Sequence, residues 1–176
     1  MNEKALVIID MQTALLEAHP YHEHTVIANI QHLLAECRQN AVPVIYVRHD
    51  GGIGDELERG SDGWQICTEL EPKDGEKIID KQFNSAFRQT QLESYLQEMG
   101  IQTLILCGMQ TEYCFDVSCK VAFEKGYEVI IPRQTTTTFD NDFSSAETLT
   151  RYYEDQIWDK RYAAVKDLSE VLSLLP

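Results

Sequence analysis

Three residues of this chain carry side chains that could do chemistry together, and each falls just past a short apolar run. Asp10 follows Ala5–Ile9, Lys81 follows Lys77–Asp80, and Cys114 lies a few residues beyond Thr103–Cys107. A thiol at the start of a helix feels the positive end of the helix dipole, and a neighbouring ammonium further favours thiolate over thiol. The thiol pKa is therefore expected to fall. An aspartate within reach can take the thiol proton and hand it to a leaving amine. Backbone N–H groups of the turn from Gly108 to Cys114 can hold the oxyanion that forms when sulfur attacks a carbonyl. The combination points to acyl transfer onto cysteine followed by hydrolysis, with no histidine base.

Taken singly, each residue has an ordinary structural explanation. Asp10 can cap a helix starting near Thr13, Lys81 can be a solvated surface lysine, and Cys114 can be a small buried hydrophobe, as Cys107 inside its apolar run is expected to be. The chemistry rests on the three meeting. None of the five histidines, at 19, 22, 24, 32 and 49, falls beside an expected strand end near Cys114. His19, His22 and His24 surround Pro20 but lack the spacing of metal ligands, so they read as a solvated loop.

The elements that must position these residues are legible as an alternation. Ala5–Ile9, Val42–Val47, Lys77–Asp80, Thr103–Cys107 and Tyr127–Ile131 read as strands, and Ala163–Val165 is a candidate sixth. Unbroken apolar runs suit strands covered on both faces. Between them, 25–38, 90–99 and 112–125 show helical spacing, and Ser169–Leu175 closes the chain with a short helix. Gly100 is placed to stop its helix in left-handed backbone. The expected fold is α/β: a doubly wound six-stranded parallel sheet with helices on both faces, whose ligands gather beyond the carboxyl ends of the strands. The stretches 49–63 and 134–145 are the loops long enough to shape a pocket.

The 176 residues suit one domain over 1–176, with ordinary proportions of hydrophobic (43%) and charged (25%) residues. A net charge of -14 opposes a polyanion, so nucleic acid is excluded as a partner. No apolar run is long enough for a membrane span, and the N-terminus does not read as a leader. Five cysteines with no CxxC pair fit reduced thiols, hence a cytoplasmic protein. Neither GxxxxGK[ST] nor a post-strand GxGxxG is present, so no nucleotide cofactor is expected.

Three stretches, in this order, resemble the isochorismatase-like cysteine hydrolases, which include nicotinamidases and N-carbamoylsarcosine amidohydrolases. They are VIIDMQ with Asp10 and Gln12, DKQFNSAF with Lys81 and Phe87, and GMQTEYC with Cys114; GWQICTEL at 63–70 and AFEKGYEV at 122–129 extend the likeness. The resemblance implies a catalytic triad of Asp10, Lys81 and Cys114, an oxyanion hole from the amides of Gln110 and Cys114, and a cis peptide between Met109 and Gln110. It also implies a small amide or carbamoyl-type substrate, with Gln12, Trp64 and Phe87 around it, and a homo-oligomer, dimer or tetramer. Metal-binding nicotinamidases carry an aspartate and two histidines after the second strand. Here RHDGG offers His49 and Asp50 alone, so no metal is expected. True isochorismatases lack the nucleophilic cysteine, so Cys114 argues against their vinyl ether substrate. Gln134 stands where many relatives have aspartate. The alternative is a non-catalytic binding or scaffold protein on the same fold.

Overall fold

The computed structural model describes residues 3–175; residues 1, 2 and 176, part of the expected domain, lie outside the described residues. The chain runs β1 (Lys4–Ile9), α1 (Thr13–Glu17), α2 (Glu23–Gln39), β2 (Val44–His49), β3 (Lys77–Lys81), α3 (Leu92–Glu98) and β4 (Thr103–Met109). A wide π turn, Thr111–Phe115, leads into α4 (Asp116–Glu124). Then come β5 (Glu128–Pro132), β6 (Thr136–Thr137), α5 (Ala146–Tyr152) with a second π turn (Tyr153–Trp158), β7 (Ala164–Lys166) and α6 (Leu168–Ser173).

Six strands form one parallel ladder in the order β3-β2-β1-β4-β5-β7, the expected doubly wound sheet. The seventh, β6, has two residues and pairs with β4 at Gly108 and Met109, beyond the point where β5 stops pairing. β1 is central because its apolar residues are buried on both sides. Ala5, Val7 and Ile9 join a core with Leu96 of α3, Cys119 and Ala122 of α4, and Trp158. Leu6 and Ile8 join a second core with Val26, Ile30, Leu33 and Cys37 of α2. Successive side chains of a strand point to opposite faces, so helices on both faces follow directly from an unbroken apolar run.

Two boundaries bear on chemistry. β2 continues past Val47 through Arg48 to His49, so a histidine does end a strand in this sheet. Asp10 caps no helix: α1 is preceded by Gln12, and Asp10 itself takes left-handed backbone, φ 52. Asp tolerates that region better than most side chains, and non-glycine residues held there cluster at functional sites. The stretch 134–145 is not all loop: it contains β6 and ends at Ser145, whose side chain accepts from the Thr148 amide and caps α5.

Gly108 is the close-contact point of the sheet. Its φ is 120, and a Cβ built on it would lie 2.0 Å from the Ile9 carbonyl oxygen. Only glycine lets β4 approach β1 so tightly just before Asp10.

Candidate active site

The sheet order explains how residues so distant in sequence meet. Asp10 follows the central strand β1, and its amide donates to the Val47 carbonyl, 2.9 Å. Cys114 follows β4 on one side of β1. Lys81 ends β3 on the other side, in register with His49 of the intervening β2. Its four-carbon stem must therefore pass over the end of β2, beside His49, to reach Asp10. Asp10 and Lys81 are each only 2% exposed, while Cys114 is half-buried.

The Lys81 ammonium has three hydrogens, and three acceptors surround it. Asp10 Oδ2 lies 2.7 Å away, His49 Nδ1 3.0 Å, and Cys114 Sγ 3.2 Å. An ammonium has no lone pair, so His49 accepts through Nδ1, and its ring proton belongs on Nε2. Burial, then the Lys81 charge, push the His49 pKa below its ordinary value, consistent with a neutral ring. His49 is the residue missed by stopping the second strand at Val47. Asn84 is another: its Oδ1 lies 3.8 Å from the Cys114 sulfur.

The expected depression of the Cys114 pKa does not occur. Burial, reinforced by the Asp10 charge, pushes the thiol up to about 12, and Lys81 offsets only part of this. Burial likewise raises the Asp10 carboxyl pKa, with Lys81 opposing. The resting sulfur therefore keeps its proton, and Asp10 is a stronger proton acceptor than a solvated aspartate. Asp10 Oδ1 is buried with no hydrogen-bond partner among the described residues. The arrangement suits proton transfer from sulfur to carboxylate as the thiol attacks, rather than a standing thiolate.

Ligand atoms of Asp10, His49 and Cys114 lie within 4.8 Å of one another, close enough to face one metal ion. Each is already a hydrogen-bond acceptor for Lys81. A metal would have to displace a cation held by all three, so the set does not fit a metal while Lys81 is in place.

Gln12 is completely buried, and its amide is fully used. Nε2 donates to the carbonyls of His49 and Trp64, 2.9 Å each, and Oε1 accepts from the His49 amide, 2.8 Å. This makes it a brace between strand ends rather than the expected substrate contact. Replacing Gln12 with Leu strands three backbone groups, the Trp64 carbonyl in a buried contact and the His49 carbonyl and amide in part-buried ones. At about 1–3 kcal/mol for each unsatisfied group, that should lower the urea unfolding midpoint markedly.

Trp64 is 8% exposed beneath the Arg48 guanidinium, 3.4 Å above the ring centroid, and its Nε1–H is buried without a partner among the described residues. Phe87 packs in the core, its ring stacked on that of Tyr127 with centroids 6.2 Å apart, and it also lines a cavity with Asn84, whose Oδ1 approaches the Cys114 sulfur. The Met109–Gln110 peptide is cis, and the Gln110 carbonyl accepts from the Tyr113 and Phe115 amides, starting the turn that carries Cys114. The Thr111 and Thr136 hydroxyls, 3.1 Å apart, tie that turn to β6.

The family profile of the isochorismatase domain matches residues 4–156. The chain is 31% identical over 156 residues to an N-carbamoylsarcosine amidase of Arthrobacter sp., covering 76% of this chain and 59% of that one. It is 28% identical over 157 residues to nicotinamidase 3 of Arabidopsis thaliana, covering 81% and 77%. A streptothricin hydrolase of Streptomyces noursei is 29% identical over 140 residues, and this chain spans only 50% of its length. Among solved structures, an isochorismatase family protein superposes with a TM-score of 0.88 at 32% identity, covering 95% of this chain and 99% of that one.

Proposed function

This chain belongs to the isochorismatase family, and from that premise we propose that it hydrolyses a small amide or carbamoyl-type substrate through a cysteine thioester. Cys114 is the nucleophile, Asp10 the proton acceptor and donor, and Lys81 the cation that orients both. The sulfur attacks the carbonyl carbon as its proton passes to Asp10. The amides of Gln110 and Cys114 hold the oxyanion. Collapse expels the amine, which takes the proton from Asp10 and leaves a thioester. Water then attacks, giving its proton to Asp10, and the acid leaves as the thiol recovers that proton. Trp64, with a spare indole N–H, is the remaining candidate for holding substrate. A homo-oligomer, dimer or tetramer, belongs to the same proposal and is read by light scattering.

The observation that carries this reading is a single buried ammonium within hydrogen-bond distance of both a carboxylate and a thiol. Asp10→Asn tests it, because the two roles of Asp10 then separate. The carboxylate charge raises the thiol pKa. Its removal should speed iodoacetamide alkylation of Cys114 at pH 8, about tenfold for each pKa unit recovered. The same change removes the proton acceptor, so amide hydrolysis should fall about a hundredfold or more. Wild-type hydrolysis by this variant would sink the assignment.

A further inference from the structure

We propose that His49 is a positioning residue for Lys81: its Nδ1 takes the third ammonium hydrogen and so aims the other two at Asp10 and Cys114. The inference rests on the reading of Asp10, Lys81 and Cys114 given above. The Lys81 side chain is fully buried and ends a flexible stem, so the direction of its charge is set by what surrounds Nζ. With two acceptors only, one hydrogen of a buried ammonium would be unpaired, a costly state that favours rotation of the group away from its partners.

His49 is built to prevent this. It ends β2 in register with Lys81, and its backbone N–H and C=O are both held by the Gln12 amide, at 2.8 and 2.9 Å. Gln12 lies two residues beyond Asp10, so one side chain fixes the imidazole relative to the carboxylate it serves. The charged groups acting on the ring are Lys81, Asp10, Asp50 and Asp55. Of these, among the described residues, Lys81 alone is in hydrogen-bond contact with it. The chain thus places a neutral acceptor where a metal-binding arrangement would place a ligand.

Bond counting supplies the test. The Oδ1 of asparagine stands two bonds from Cβ, as histidine Nδ1 does, whereas the Oε1 of glutamine reaches the Nε2 position and leucine has no acceptor. Cys114 alkylation by iodoacetamide is measured from pH 7 to 10 on the full chain, with Cys114→Ala subtracting the other thiols, and thermal unfolding is recorded alongside. His49→Leu should slow alkylation about tenfold or more throughout this range, which lies below the pKa of the thiol. His49→Gln should behave like His49→Leu, and His49→Asn should stay within about threefold of wild type. Equal rates in all three variants and the wild type would overturn the proposal, as would equal slowing in His49→Asn and His49→Leu. If His49→Leu does not fold, the contrast between His49→Asn and His49→Gln decides alone. Alkylation needs no substrate, so this pattern can hold even if no amide is hydrolysed, which would sink the hydrolase reading and leave the positioning role standing.

Discussion

Cys114→Ala should lower hydrolysis of any amide, urea or carbamate that the wild type accepts by about ten-thousand-fold or more, leaving the fold intact. Loss of a covalent nucleophile removes the whole two-step route, and what remains is the catalysis of binding and the oxyanion site. The structural cost is modest. The sulfur is half-buried, lies 3.2 Å from the Lys81 ammonium and 3.8 Å from Asn84 Oδ1, and interacts with the Asp10 carboxylate. Alanine fills the same backbone position but leaves one Lys81 ammonium hydrogen without its acceptor, a cost of about 1–3 kcal/mol. Ammonia release across a panel of small substrates, beside thermal unfolding of both proteins, checks it. A variant that matches the wild type would take the sulfur out of the chemistry. A wild type that turns over nothing in the panel, with a thiol no faster than the other four, would favour the scaffold alternative.

Gly108→Ala should be the most damaging single change to the fold. The new methyl would lie 2.0 Å from the Ile9 carbonyl oxygen and 2.7 Å from its amide nitrogen, both backbone atoms of the central strand. Neither can move without breaking the pairing of β1 with β4. The residue would also have to hold φ 120, which alanine strongly resists. We expect a loss of about 4 kcal/mol or more, hence a melting temperature lower by roughly 10 °C or an insoluble product. Gly52→Ala is the control, because a Cβ there meets nothing within 4 Å despite φ 87. Comparable losses in both variants would mean that backbone strain, not the contact with Ile9, dominates.

The alternation of elements was legible because burial on both faces writes itself as unbroken apolar runs such as Ala5–Ile9. The convergence of Asp10, Lys81 and Cys114 was legible because parallel strands deliver their ends to one edge. His49 was not, since Arg48 and His49 continue β2 with polar side chains that end an apolar run without ending the strand. Arg48 is held there by Asp80, 2.8 Å away, and by the Trp64 ring, partners that no local pattern reveals. The direction of the Cys114 pKa failed for a related reason. Dipole and charge can be read along the chain, but desolvation belongs to the assembled interior, and here it wins. Gln12 carries the right residue type in the right motif, yet which way its side chain faces is fixed by neighbours from other strands. α5 was accessible: Ser145 before Ala146–Tyr152 is an ordinary capping signal, masked by the polar stretch preceding it.

The parallel ladder also governs when the chain can become catalytic. Val7 and Cys107 meet across β1 and β4 although 100 positions separate them, and no tight hairpin can bring parallel neighbours together. Such distant closures make folding slow, because the entropy of closing long loops is lost before the contacts form. A nascent or half-folded chain has neither carboxylate nor ammonium beside its sulfur, so Cys114 is an ordinary solvated thiol, more acidic than in the folded site but without a proton acceptor, until β1, β3 and β4 have all docked.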